Sequence, residues 1–194
     1  MHMDTPTGIV DRISSTYYPL SAEAKEKIAS ILVRTELKKN TLFRLKGEIQ
    51  DQMCFIYKGM VRQFYFKNNK DLTEHFAYEN SFFFCIESFL RKVPSEILVE
   101  AIEPTILYGI PHDRFIELAD QSLEIGRFYR FQLEQSLILS QRKMDMVRFE
   151  TANERYARLL KEQPEIIKRA PLADIASYLL MTPETLSRVR ANLL

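Results

Sequence analysis

DIASYLLMTPETLSRVR, Asp174–Arg190, reads as two short helices broken by a turn of only a few residues. Just before it, Pro171 suits a first helical turn, and Ile175, Ala176 and Leu179 share one inner face. Leu180-Met181 forms the turn. Thr182 is a favoured N-cap and Pro183 a favoured first helical residue, so a second helix starts at once, with Leu186 and Val189 facing inward. Ala176 falls where the two helices cross, and only a small side chain permits close approach there. This is the helix-turn-helix plan.

The outward residues of the second helix are Glu184, Thr185, Arg188 and Arg190. A recognition helix presents its N-terminal and middle turns to base edges in the major groove. Arginine pairs with guanine O6/N7, glutamate accepts from cytosine N4, and threonine reaches a phosphate or a thymine methyl. The helix N-terminus favours a phosphate through its unpaired N–H groups. An αα-hairpin with an ordinary charged face is the competing reading. The coincidence of cap, proline, small crossing residue and polar set favours double-stranded DNA. Leu180 stands in a turn that often needs φ > 0, where a non-glycine residue costs on the order of 1 kcal/mol.

The rest of the chain suits such a role. Of 194 residues, 46% are hydrophobic and 27% charged, a globular profile with room for an ordinary core. No run approaches a membrane span and no signal peptide is evident, so a cytoplasmic protein with no membrane partner is expected. Cys54 and Cys85 are too few for a disulfide framework or a four-thiolate cluster and read as buried free thiols. Net charge is +1, with basic residues in excess by three from Gln141 onward and acidic residues in excess by two before it. Lys168 belongs to that basic tail. A mildly basic tail suits a polyanion, although the asymmetry alone is weak evidence.

Upstream, SAEAKEKIASIL (21–32) is an amphipathic helix capped by Ser21. Then TLFRL, MCFIY, MVRQFYF, LTEHFAY, ILVEAIE and TILYGI follow, separated by turn signals at Lys58-Gly59 and at Lys67–Asp71. Short strands at this spacing predict a β-sandwich or barrel from about Leu32 to Ile110. Pro111-His112-Asp113 opens a helical remainder. Residues 122–149 form the longest candidate helix, apolar over more than one face, which predicts burial on one side by the β-domain and on the other by a second copy. Thr151 and Glu154 fit a capping box and so mark a hinge near Phe149–Thr151.

With these parts in this order, IASYLLMTPETLSRVR resembles the helix-turn-helix of the CRP/FNR superfamily of bacterial transcription regulators, and the likeness extends over nearly the whole chain. The resemblance implies an α+β fold: a jelly-roll-like β-roll sensor of cyclic-nucleotide-binding type (1–121), a dimerisation helix (122–149) and a helix-turn-helix domain (150–194). It also implies a homodimer on a pseudo-palindromic duplex, with DNA contacts at Thr182, Glu184, Thr185 and Arg188. Pro183 stands where some members carry a base-reading arginine. The sequence ends at Leu194 with no wing hairpin, so phosphate contacts of that kind are expected elsewhere or not at all, and Lys168 is a candidate phosphate contact.

The family's phosphate cassette couples a Gly-Glu pair to a later Arg-Ser/Thr pair. Aligned on NSFFFCIESFLRKVPSEILVEAIE, those positions read Phe84-Cys85 and Ser95-Glu96. The polar contacts are gone, and an acid stands where an anion would sit. Ser140 and Gln141 fall where some members touch the nucleotide base. Phe84, Cys85, Ser95, Glu96, Ser140 and Gln141 are therefore the candidate effector pocket, and cyclic nucleotides are not its expected occupant. An uncharged or cationic small molecule beside Phe82, Phe83 and Phe84, a filled cavity without ligand, and redox sensing through Cys85 stay open, as does an atypical cyclic-nucleotide pocket.

An enzyme is not expected. A cupin-type metal centre needs clustered ligands, whereas His2, His75 and His112 are far apart in sequence, and Glu74 and His75 face opposite sides of a strand. No cofactor or metal is expected, and haem ligation by His75 is remote. A third class, an interaction module whose helix-turn-helix no longer reads DNA, is told apart by weak, salt-independent binding to duplexes.

Overall fold

The computed structural model of the chain describes residues 4–193. His2 lies outside them. Two helices lead: α1 (Pro6–Thr16), capped by Thr5, and α2 (Ala22–Ile31), capped by the predicted Ser21 through the Ala24 N–H. Eight strands follow, β1 (Val33–Leu37), β2 (Thr41–Arg44), β3 (Gln52–Lys58), β4 (Met60–Lys67), β5 (Lys70–Tyr78), β6 (Phe82–Phe83), β7 (Leu98–Ala101) and β8 (Thr105–Pro111), with helix α3 (Ile86–Arg91) between β6 and β7. They form two four-stranded antiparallel sheets, in the orders β1-β8-β3-β6 and β2-β7-β4-β5. Then come α4 (His112–Gln121), α5 (Leu123–Phe149), α6 (Ala152–Glu162), α7 (Pro164–Arg169), α8 (Leu172–Tyr178) and α9 (Pro183–Leu193). The expected α+β architecture, a β-roll followed by a helical part, is what the chain adopts.

The chain divides into two compact units: residues up to Val61 with Ala77–Ser136, and Arg62–Phe76 with Leu137 onward. The expected segments at 1–121, 122–149 and 150–194 cut elsewhere. The hairpin end of β4 and β5 groups with the helices, and α5 is shared between the units.

In the first unit one core gathers Ile9, Ile13, Ile28, Phe55, Phe89, Tyr108, Phe115 and Phe128, joining both leading helices to β3, β8, α4 and the start of α5. A second gathers Leu37, Cys54, Ile56, Val61, Phe83, Val99 and Leu107. Burying a side chain of this size removes about 1.5–3 kcal/mol of apolar exposure. At the predicted Lys58-Gly59 corner the chain passes from one sheet to the other, and there Gly59 has φ +93 and its N–H donates to Glu79 at 2.7 Å.

In the second unit α6 packs on α7 and α9, and α8 on α9, around Tyr156, Leu159, Ile166, Ile175, Ala176, Leu179, Leu186 and Val189, all buried. The capping box forms as read: Thr151 Oγ1 accepts from the Glu154 N–H at 3.3 Å, and the Glu154 carboxylate accepts from the Thr151 N–H at 2.8 Å. The C-terminal half of α5 leaves Leu137, Ile138, Leu139, Met144, Val147 and Phe149 exposed.

Candidate nucleic-acid interface

Helix α8 begins one residue later than read, with Pro171 as the residue that caps it. Its last turn closes through the Leu180 N–H to Ser177 O at 3.0 Å and the Met181 N–H to Ala176 O at 3.0 Å. That geometry requires a left-handed residue, and Leu180 supplies it with φ +54. Ala176 is completely buried at the crossing, where a larger side chain would separate the helices. The Thr185 N–H then donates to Thr182 Oγ1 at 3.2 Å, and α9 starts at Pro183. Apart from the left-handed Leu180, whose residue type disfavours that conformation, each step in the turn follows from a residue type already visible in the sequence.

At the start of α9, Thr182 just before the helix and Glu184 and Arg188 on it are exposed, with Thr185 half-exposed beside them. Arg188 Nη2 donates to Thr185 Oγ1 at 3.4 Å. A hydrogen bond from the Thr182 hydroxyl, then one from its own backbone N–H, hold the Glu184 carboxyl below the usual carboxylate range. The four side chains thus form one polar cluster at the helix start, with donors and acceptors aimed outward. Lys168 lies on α7, exposed, paired with Glu165 at 2.7 Å.

Arg190 departs from the expected outward set. It is as half-exposed as Thr185, but with Tyr156, Ile167 and Leu186 it lines a cavity of about 90 Å³. The reason is helical phase: two residues past Arg188 is about 200° around the axis.

The candidate effector residues divide between the units. Phe84, Cys85, Ser95 and Glu96 lie in the first, Ser140 and Gln141 in the second. Phe84 packs its ring against Phe89, tilted 57° with centroids 5.1 Å apart, and Cys85 Sγ donates to Gln50 Oε1 at 2.8 Å. Ser95 is buried, its hydroxyl accepting from the Ile97 N–H at 3.0 Å. Glu96 is exposed and paired with Lys46 at 2.7 Å. Phe82 meets Tyr17, Phe55 and Phe128, and Phe83 is buried in the second core. Desolvation, the largest influence on the buried Cys54, pushes its thiol up to about 12.

Ser140 lines a second cavity, of about 370 Å³, with Tyr65, Leu72, Glu74, Lys143, Met144, Val147, Arg148 and Leu180. Sequence reading missed this space, because it is assembled from the β4–β5 hairpin, α5 and the helix-turn-helix turn. Among the described residues no cluster of three or more His, Cys, Asp or Glu side chains could hold a metal ion. No described helix is long and apolar enough to cross a membrane.

Neither a protein-family description nor a curated protein matches the sequence. Solved structures do match in fold. FixK2 from Bradyrhizobium japonicum superposes with a TM-score of 0.72 at 21% identity, covering 84% of this chain and 84% of that one. The c-di-GMP responsive global regulator CLP of Xanthomonas campestris gives 0.67 at 18% identity, covering 89% and 91%. The catabolite activator protein of Thermus thermophilus gives 0.58 at 18% identity, covering 94% and 86%. The chain therefore has the fold of CRP/FNR regulators.

Proposed function

We propose that this protein is a homodimeric, sequence-specific DNA-binding transcription regulator of CRP/FNR type, in which α9 reads the major groove. The observation that carries this is the polar cluster Thr182, Glu184, Thr185 and Arg188 on an exposed helix start fixed by the Leu180 turn. An enzymatic role has no comparable support, and two of the structural relatives are by name an activator protein and a global regulator.

Dimerisation is supported by α5. Leu137 is 66% and Phe149 78% exposed, with Ile138, Met144 and Val147 also open to solvent. An apolar helix surface of this extent is stabilised by burial against another copy. Two-fold symmetry then places half-sites about one helical turn apart, roughly 34–36 Å.

The β-roll is read as unresponsive to cyclic nucleotides. At the cassette positions Phe84, Cys85 and Ser95 are taken up by internal contacts, and Glu96 is an exposed carboxylate paired with Lys46, so none of them offers a phosphate a donor. A second reading, control by a small molecule, is favoured by the cavity of about 370 Å³ beside Ser140, which is of ligand size. That cavity lies outside the β-roll pocket expected from sequence and includes Glu74, Lys143 and Arg148 in its lining.

Titration of the purified protein with duplex DNA across a salt series tests the main reading. A regulator gives a linear fall of log affinity with log salt, from counterion release. Weak binding indifferent to salt would point instead to an interaction module.

A further inference from the structure

We propose that the hairpin end of β4 and β5 is a bracket that orients the recognition helix, with Arg62 as its positioning residue, and that this bracket fixes the half-site spacing the dimer accepts. The proposal rests on the DNA-reading role above and assigns a determinant of its specificity outside α9.

Arg62 is only 5% exposed. Its two terminal nitrogens grip both Asp71 carboxylate oxygens, at 2.8 and 2.9 Å, and Nη1 also donates to Asp174 Oδ1 at 2.9 Å. Asp71 is on the hairpin, whereas Asp174 is in the first turn of α8. A turn further along, Ser177 Oγ accepts from the Thr73 N–H at 2.8 Å and donates to Asp71 O at 3.1 Å. Next to it, the Tyr178 ring meets Phe76 edge-on, centroids 5.4 Å apart. Asp174, Ser177 and Tyr178, spaced i, i+3, i+4, form one helix face, and the hairpin holds all of it.

The hairpin is tied to α5 as well. Lys143 Nζ pairs with Glu74 Oε1 at 3.1 Å and lies 5.3 Å from the Tyr178 ring centroid. Within this unit, contacts therefore run from α5 through the hairpin to α8, and from α8 to α9 across Ala176. None of them uses the exposed cluster on α9.

Chemistry explains why a charged group serves here. Apolar packing tolerates sliding, whereas a bidentate guanidinium–carboxylate pair fixes distance and angle together. A buried ion network adds little net stability over apolar packing, so its distinctive property is geometry. In a two-fold dimer, the angle of α9 relative to α5 sets the separation of the two recognition helices. A loosened bracket leaves each helix able to read its half-site but unable to insist on one separation.

Two measurements test this, on the wild type and on Asp174→Asn and Ser177→Ala, with thermal melts confirming that each variant folds. Fluorophores on Asn68→Cys and Ser187→Cys, in labelled chain diluted into excess unlabelled chain, report the distribution of hairpin-to-α9 distances without any DNA. The bracket predicts a narrow distribution in the wild type and a broadened one in both variants. Equally narrow distributions in all three, or a broad one in the wild type, would overturn it. The second measurement is affinity for duplexes whose selected half-sites are spaced at the preferred length or one base pair shorter or longer. The expected result is at least a tenfold preference in the wild type, falling below threefold in the variants, with the base preference within each half-site unchanged. A preference equally sharp in the variants would overturn the proposal. Narrow wild-type distances with no duplex binding at all would refute the DNA-reading role separately.

Discussion

The Thr182 hydroxyl accepts the Thr185 backbone N–H at 3.2 Å, so the residue that ends the turn also starts the helix that carries the interface. Thr182→Ala removes that cap and should cost about 1 kcal/mol of unfolding free energy. Denaturant titration checks it, and a midpoint unchanged at constant m-value would contradict the capping role.

Gly59 allows a second, larger prediction. Its φ is +93, and a Cβ would come within 2.5 Å of Pro104 O and Thr105 Oγ1. Both strain and overlap oppose any side chain, so Gly59→Ala should destabilise the β-roll by about 2–4 kcal/mol. A thermal melt within a degree of the wild type would show that the corner can shift without cost.

These two sites also show what a sequence can reveal. Caps at Ser21, Thr151 and Thr182, the Lys58-Gly59 corner and the small residue Ala176 act on neighbours a few positions away, so residue type alone announced them. Strand β1 was less legible: Val33–Leu37 alternates weakly, is largely exposed and lies at a sheet edge, so little burial pattern marks it. The two-residue strand Phe82–Phe83 is too short to show a period at all. Arg62 and Asp174 lie 112 positions apart, and nothing local to either identifies the other. The same holds for the pairing of Glu96 with Lys46 and for the cavity beside Ser140. Arg190 is a different case, since its helical phase beside Leu186 and Val189 was available, although the outward set read from sequence includes it.

Acid should weaken the protein through His75. Desolvation, with the neighbouring Lys143 ammonium as the lesser cause, lowers its folded pKa to about 4. Between that value and the unfolded value near 6.5, the unfolded chain binds the extra proton, so stability rises with pH across this window. The loss on going from pH 7 to pH 4 is about 3 kcal/mol from this group. Denaturant midpoints of wild type and His75→Gln at several pH values isolate it: the variant should have the shallower slope from pH 6.5 to 4. Parallel slopes would show that His75 is protonated in the folded protein.

Roles at the interface should separate by mutation. Arg188→Ala should cost about 1–3 kcal/mol of binding and relax preference at one base pair. Lys168→Ala, which removes a phosphate contact, should weaken all sequences alike and reduce the salt slope by about one. Competition assays on a set of single-base operator variants distinguish the two patterns. The same loss of base preference from both substitutions would contradict the division.

The most direct test of the central claim is selection from a random duplex pool by the purified, ligand-free protein at near-physiological salt. The account predicts enrichment of a two-fold symmetric site with half-sites about ten base pairs apart, centre to centre. If neither the protein alone nor the protein with cell extract enriches any site, the helix-turn-helix does not read DNA and the account is wrong.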